Sequence, residues 1–216
     1  MKTKIIVMII TAVSCLFIYK IAYKPKKAFV ALGDGICSAS SIGGASMTSF
    51  NDLTYKKLEN QNKVNSYNKV LCQNKLNINK LIDDIKSNKK VDNTYIQNIL
   101  DNAVVVTISV GFDEISSYKR FDRIKQKELL EKFNELIFLT RKYTKGKIIV
   151  LGMYSRISSN IEEFNRSLKQ ICLNNNAQYI DTSSISKKDT NFFYENSYKL
   201  SIKGHQEMFS MIMEKI

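Results

Sequence analysis

The sequence predicts a three-layer α/β/α domain with a parallel sheet of about five strands. Short apolar runs alternate along the chain with longer segments in which apolar residues recur at helical spacing. The clearest runs, residues 104–110 and 147–151, are rich in β-branched residues, which is typical of central strands. Because strands and helices alternate, we expect parallel strands with helices on both faces of the sheet.

The chain of 216 residues is long enough for one domain with a full core, which we assign to residues 28–216. The predicted strands cover residues 28–32, 104–110, 147–151 and 177–181. The predicted helices cover residues 48–60, 76–87, 95–100, 122–143, 159–173 and 202–215. The Asn- and Lys-rich stretches at 60–80 and 86–93 indicate compositional bias rather than disordered domains.

The N-terminal region predicts a membrane anchor. Residues 5–19 are uncharged and almost wholly apolar, and residues 21–23 continue the run after Lys20. This is just long enough for one transmembrane helix. We therefore expect residues 1–27 to form an uncleaved signal anchor and a basic stalk, with the domain outside the cytoplasm. A cleaved signal or a lipoprotein modified at Cys15 is the alternative.

Charge and cysteine usage exclude several classes of function. The formal net charge is +13, but the basic residues are scattered among Asn and Ser without interleaved aromatics, so we expect no nucleic-acid partner. The cysteines beyond the anchor, Cys37, Cys72 and Cys172, are an odd and widely spaced set, from which we predict no disulfide framework. His205 is the only histidine and no C-x-x-C pair exists, so we expect no metal and no cofactor.

Candidate functional residues follow the predicted strands, because sites in parallel sheets form at the carboxyl ends of strands. Three sequence segments stand at such positions or before the last helix: Ala31-Leu-Gly-Asp-Gly35, Thr107-Ile-Ser-Val-Gly-Phe-Asp-Glu-Ile115 and Ser197-Tyr-Lys-Leu-Ser-Ile-Lys-Gly-His205. In this order they resemble the motifs of the SGNH (GDSL-type) hydrolases. The resemblance covers most of residues 28–216 and implies a flavodoxin-like fold.

The resemblance implies catalytic positions at which this chain carries other residues. Gly35 stands where the family has its nucleophilic Ser, and Asp113 stands where it has the Asn of the oxyanion hole. Lys199 stands at the position of the catalytic His, with Asn196 at that of its Asp partner. The second motif, expected near residues 70–76, lacks its Gly. These departures remove the nucleophile, an oxyanion donor and the base, so we expect no ordinary ester hydrolysis.

Two further interpretations assign an activity to the edge of the sheet formed by the carboxyl ends of the strands. Ser38 or Ser40 would act as a displaced nucleophile with Lys199 as its base, as in Ser-Lys dyads. Alternatively, Asp34, Asp113 and Glu114 would gather as oxygen ligands of a cation. We favour a simpler interpretation, in which Asp34 caps its own turn and Asp113 or Glu114 forms an ion pair with Lys199.

The sequence thus predicts a membrane-anchored, degenerate SGNH-like protein that binds a ligand of the cell envelope, a carbohydrate or an ester, or a partner there. The candidate ligand-binding residues are Asp34, Gly111, Glu114, Tyr154 and Arg156. The alternative is an active acyl or acetyl ester hydrolase that uses the variant residues.

Overall fold

A computed structural model shows a central sheet of five parallel strands. It describes residues 26–39, 47–154, 156, 161–188, 190–195 and 197–216. The sheet strands are β1 (Ala28–Gly33), β2 (Ser66–Cys72), β5 (Ala103–Ser109), β6 (Lys147–Leu151) and β7 (Gln178–Ile180). Their spatial order is β2-β1-β5-β6-β7, and β3 (Lys90–Val91) and β4 (Thr94–Tyr95) form a separate antiparallel hairpin.

Helices cover the sheet in two layers. They are α1 (Gly35–Ser38), α2 (Phe50–Asn60), α3 (Ile78–Lys86), α4 (Ile96–Asp101), α5 (Phe112–Ser117), α6 (Arg123–Tyr143), α7 (Ile161–Asn174), α8 (Ser183–Lys188) and α9 (Ile202–Met213). The long α6 packs against both α3 and α7, whereas α2 packs against α9. This arrangement confirms the predicted three-layer α/β fold with five strands in its sheet.

Burial explains which strands the sequence reveals. Every residue of β1 is buried, and so is every residue of β5 except Val104, because both strands have neighbours on either side. The sequence does not predict the edge strand β2, since only its last two residues are buried and the polar Asn68 and Lys69 lie in its middle. For this reason the stretch 60–80, which contains an edge strand with one face exposed to solvent, is interpreted from its sequence as compositional bias.

The prediction of no disulfide framework is wrong, because Cys37 and Cys72 are bonded, with their Cα atoms 5.5 Å apart. Gly33, at the end of β1, is in register with Cys72 of β2. The short helix α1 then folds back over this strand end and places Cys37 beside Gly33 and within reach of Cys72. The third cysteine, Cys172, is free and buried.

The predicted anchor, including Cys15, lies outside the described residues, as does the start of the stalk. Within the part of the chain that the structure describes, no helix has both the length and the apolar character needed to cross a membrane.

Candidate active site

The turn after β1 is organised by Asp34. This side chain is fully buried and caps α1, since its Oδ1 accepts a hydrogen bond from the N–H of Ile36 at 3.1 Å. Its Oδ2 accepts from the N–H of Asp113 at 3.0 Å. Burial, and next the nearby charge of Asp113, hold the pKa of Asp34 well above its usual range. Asp34 therefore joins the turn to the start of α5, in addition to the capping role expected of it.

Gly35 lies where the resemblance places a nucleophile, and two polar side chains approach it closely. A Cβ atom at Gly35 would lie 2.9 Å from Oδ1 of Asn74 and 3.3 Å from each carboxylate oxygen of Asp113. The backbone N–H of Gly35 donates to Oδ2 of Asp113 at 3.3 Å. A larger residue at this position would require small shifts of these two polar side chains.

Asp113 is the centre of the site. Its Oδ2 also accepts from the N–H of Lys75 at 3.1 Å, and its Oδ1 accepts from the hydroxyl of Tyr198 at 2.6 Å. Lys75 adopts a left-handed conformation, with φ 61°, so this loop presents its N–H without the glycine that the second motif lacks. Three donors from three separate segments thus hold one carboxylate.

Gly111 sets the position of Asp113. It precedes α5 with φ 96°, a conformation that favours glycine, and a Cβ atom there would lie 3.1 Å from Cε of Met153. Glu114, the next residue after Asp113, faces α3 instead, and its Oε1 accepts from the N–H of Ile78 at 2.5 Å. Burial raises the pKa of Glu114, and its Oε2 is buried with no partner among the described residues.

Tyr198, not Lys199, is the residue of the last motif that reaches Asp113. The segment forms a narrow loop, because Phe193 and Leu200 form an antiparallel bridge and the N–H of Tyr194 donates to the carbonyl of Lys199 at 3.0 Å. The burial of Tyr198 and its bond to Asp113 raise the pKa of its hydroxyl to about 12, so the phenol stays a donor at neutral pH.

The ion pair expected between Lys199 and Asp113 or Glu114 is therefore wrong for the described residues, whose salt bridges do not include Lys199. The physical reason is that Tyr198 and backbone N–H groups already bond both oxygens of Asp113, whereas Glu114 faces α3.

Tyr154 and Arg156 both donate hydrogen bonds to backbone carbonyls of this loop. Tyr154 is fully buried between the rings of Phe112 and Phe193, each with its centroid 5.0 Å away, and its hydroxyl donates to the carbonyl of Tyr198. Nε of Arg156 donates to the carbonyl of Ser197 at 2.6 Å, and its guanidinium lies 5.1 Å from the ring centroid of Phe193. Both residues thus contact the segment that carries Tyr198.

Ser38, one of the two serines proposed as a displaced nucleophile, bonds to its own helix. Oγ of Ser38 donates to the carbonyl of Gly35 at 3.3 Å, as a serine at a helix end often does. No hydrogen bond joins Ser38 to Lys199 in the described part of the chain. Ser40 and Asn196 lie outside the described residues.

The carboxylates of Asp34, Asp113 and Glu114 are turned toward backbone N–H groups, which compete with any cation for the same oxygens. No set of three or more potential metal-binding side chains comes together among the residues that the structure describes.

Solved structures share this fold. TesA superposes with a TM-score of 0.65 at 10% identity, covering 87% of this chain and 97% of its own. A catalytic mutant of an acetylxylan esterase from Geobacillus stearothermophilus gives a TM-score of 0.64 at 14% identity, covering 87% of this chain and 93% of its own. The esterase AlinE4, of the SGNH-hydrolase family, gives a TM-score of 0.54 at 12% identity, covering 89% of this chain and 96% of its own.

The chain has the SGNH (GDSL-type) hydrolase fold. The resemblance predicted from the three motifs is thereby confirmed for the fold. No protein-family model matches the sequence, and no curated protein is significantly similar to it in sequence. At such low identity, the activity has to be argued from the site.

Sequence reasoning missed three residues that build the centre of this SGNH-like site: Asn74, Lys75 and Tyr198. From the sequence, the second motif is expected in the loop after β2, and its glycine is missing. Lys75 contributes its backbone N–H to the site, and the residue type at a position does not indicate such a contribution. Tyr198 is one position before Lys199, and only the geometry of the narrow loop decides which of the two side chains turns inward.

Proposed function

We propose that this protein is a membrane-anchored SGNH-fold protein of the cell envelope that does not hydrolyse esters and acts by binding a ligand or partner. The carrying observation is the carboxylate of Asp113, which accepts hydrogen bonds from Gly35, Lys75 and Tyr198. In the hydrolases that the chain resembles, donors at this place stabilise the oxyanion of the transition state. Here an internal anion already uses them.

The missing nucleophile supports the same proposal. Gly35 has no side chain, and Asn74 and Asp113 lie close beside it. Losing the nucleophile of such an enzyme typically lowers kcat by several orders of magnitude. The donors of the oxyanion hole cannot compensate, because a second anion placed beside Asp113 would be repelled.

The disulfide supports a location outside the cytoplasm. Disulfides persist mainly in oxidising compartments, and Cys37–Cys72 joins the turn after β1 to the end of β2. Together with the apolar residues 5–19, it favours an anchored domain on the outer side of a membrane.

Hydrolysis of 4-nitrophenyl acetate and 4-nitrophenyl butyrate by the full chain in mild detergent tests the proposal. We expect a rate within about twofold of that of the variant Asp113→Ala, since neither form offers the nucleophile, base and donors together. Acetylated xylan is the second substrate, and the assay measures the acetate that is released from it. It is chosen because a structure with a similar fold is that of an acetylxylan esterase.

The active-hydrolase alternative makes a distinct prediction for the same assay. Turnover that exceeds the background and is lost in Ser38→Ala, Ser40→Ala or Lys199→Ala would replace the proposal with a Ser-Lys enzyme. Ser210→Ala is the matched control, since Oγ of Ser210 also donates to a carbonyl of its own helix, at 3.1 Å, and lies in α9.

A further inference from the structure

The chain enters the domain at the amino-terminal edge of the sheet. Lys27 directly precedes β1, and its N–H donates to Oδ1 of Asn65 at 2.8 Å, directly before β2. Because all five strands are parallel, the loops that precede them meet at this one edge. The edge that faces the N-terminal segment is thus fixed by the topology of the sheet.

Exposed lysines collect at this edge, which we call the basic edge. Its exposed basic residues are Lys26, Lys27, Lys63, Lys142, Lys145 and Lys215. None of these six takes part in a salt bridge with a carboxylate of the described residues. Glu59, Asp101 and Glu214 are also exposed at this edge and offset only part of the charge.

The loops that carry these lysines are held firmly. The guanidinium of Arg141 donates to the carbonyls of Thr144 and Gly146, at 3.2 and 2.8 Å, and to that of Asn176 at 2.8 Å. Nζ of Lys147 donates to the carbonyl of Lys215 at 2.9 Å, which ties the end of the chain to the start of β6. The basic edge therefore presents its charge on one stable surface.

The opposite edge carries charges of both signs. Carboxylates follow strands or precede helices there, namely Asp34, Asp113, Glu114, Asp122 and Asp181, and exposed basic residues lie in the same loops, namely Lys75, Lys119 and Arg120. The basic edge is distinguished because its exposed lysines outnumber its exposed carboxylates and because the N-terminal segment enters the domain there.

We propose that the basic edge docks on the anionic lipid headgroups of the membrane that holds the N-terminal anchor. This rests on the anchoring put forward under the proposed function. Five residue steps, from Tyr23 to Ala28, separate the apolar stretch from the sheet, which allows a span of roughly 17 Å at most. Salt screens charges over about 8–10 Å, and a tether this short allows the lysines at this edge to approach the lipid charge to within that distance.

The site at the carboxyl ends of the strands then faces away from the membrane. Each lysine near an anionic surface contributes about 1 kcal/mol, which is roughly fivefold in the docking equilibrium. Several lysines on one rigid surface are therefore enough to orient an anchored domain.

The experiment uses the full chain, with Cys15→Ser, in vesicles of neutral phosphatidylcholine or of phosphatidylcholine with phosphatidylglycerol. Flotation of the vesicles first shows whether the chain is anchored. A fluorophore is attached at Gln178→Cys on the basic edge or at Ser117→Cys on the opposite edge, both of which are exposed positions. Quenching by nitroxide-labelled headgroups then reports which edge contacts the lipid.

Docking predicts quenching at position 178 that is at least about threefold stronger in anionic than in neutral vesicles and is lost at high salt, with little quenching at position 117. Lys145→Glu with Lys215→Glu should lower the ratio of docked to free domain at least about tenfold. The matched control, Lys119→Glu with Lys127→Glu, makes the same charge change on exposed positions near the other edge and should leave quenching unchanged.

Two results would overturn the inference, and they are distinguishable. Failure of the chain to float with either type of vesicle would contradict the anchoring itself. Flotation with equal quenching in neutral and anionic vesicles, or equal effects of the two double variants, would leave the anchor in place and contradict docking by the basic edge.

Discussion

The turn after β1 and the loop before α9 meet at Asp113, but they are held there by different means. A disulfide, Cys37–Cys72, and the buried carboxylate of Asp34 fix the turn. Backbone pairing and the hydroxyls of Tyr154 and Tyr198 fix the loop, without any covalent bond. The difference teaches that the two halves of the site depend on bonds of different strength, a covalent bond and a buried cap in the turn and single hydroxyl donors in the loop. Changes in the turn should therefore cost more stability than changes in the loop.

The largest effect should come from the disulfide. Replacing both cysteines, Cys37→Ala with Cys72→Ala, frees a loop closed over a separation of 35 residues and should lower the free energy of unfolding by about 4 kcal/mol. Urea unfolding of the detergent-solubilised chain measures it. Cys172→Ala is the control, since it removes a buried free thiol and should cost about 1 kcal/mol. Equal losses in the two variants would mean that the turn is not held by its covalent bond.

Asp34 should give the next largest effect. Asp34→Ala leaves the buried N–H of Ile36 and the partly buried N–H of Asp113 without their acceptor, which should cost about 2–4 kcal/mol. Asp122→Ala is the control for the loss of a helix cap, because Asp122 caps α6 at the N–H of Lys125, and should cost about 1 kcal/mol.

The contribution of Asp34 should also depend on pH. Its pKa is raised in the folded state, so the folded chain binds this proton more tightly than the unfolded chain does. The stabilisation is complete below the unfolded pKa of about 3.9 and is lost as the pH rises through the folded pKa. The difference between the wild type and Asp34→Ala should accordingly shrink as the pH rises above about 4. A difference that grows with pH would contradict the raised pKa.

The loop should respond least. Tyr198→Phe removes one hydroxyl that donates to Asp113 and should lower the free energy of unfolding by about 1–2 kcal/mol. Tyr95→Phe, at a half-exposed tyrosine of the β3–β4 hairpin, should change it by less than about 0.5 kcal/mol. If the two variants unfold at the same urea concentration, the hydroxyl of Tyr198 does not support Asp113.

The sequence was sufficient for the layers of the fold and for the location of the site, because buried strands and amphipathic helices leave periodic patterns. The span of β6 was predicted residue for residue, and the placement of Gly35 beside Asp113 follows from the order of the motifs. The features that the sequence did not predict depend on how distant segments of the chain are arranged in space. The edge strand β2 has a mixed pattern, the disulfide depends on how α1 folds back, and the inward turn of Tyr198 depends on backbone pairing in its loop.

The central claim is that the site has no nucleophile and that Asp113 occupies its hydrogen-bond donors. Covalent labelling with a fluorophosphonate, which reacts with activated serines, tests this claim most directly. Intact-protein mass spectrometry of the full chain, with an active SGNH-fold esterase as the positive control, reads the result. The account predicts no added mass after a treatment that labels the control enzyme completely. A stoichiometric adduct on Ser38 or Ser40 would show an activated serine and contradict it.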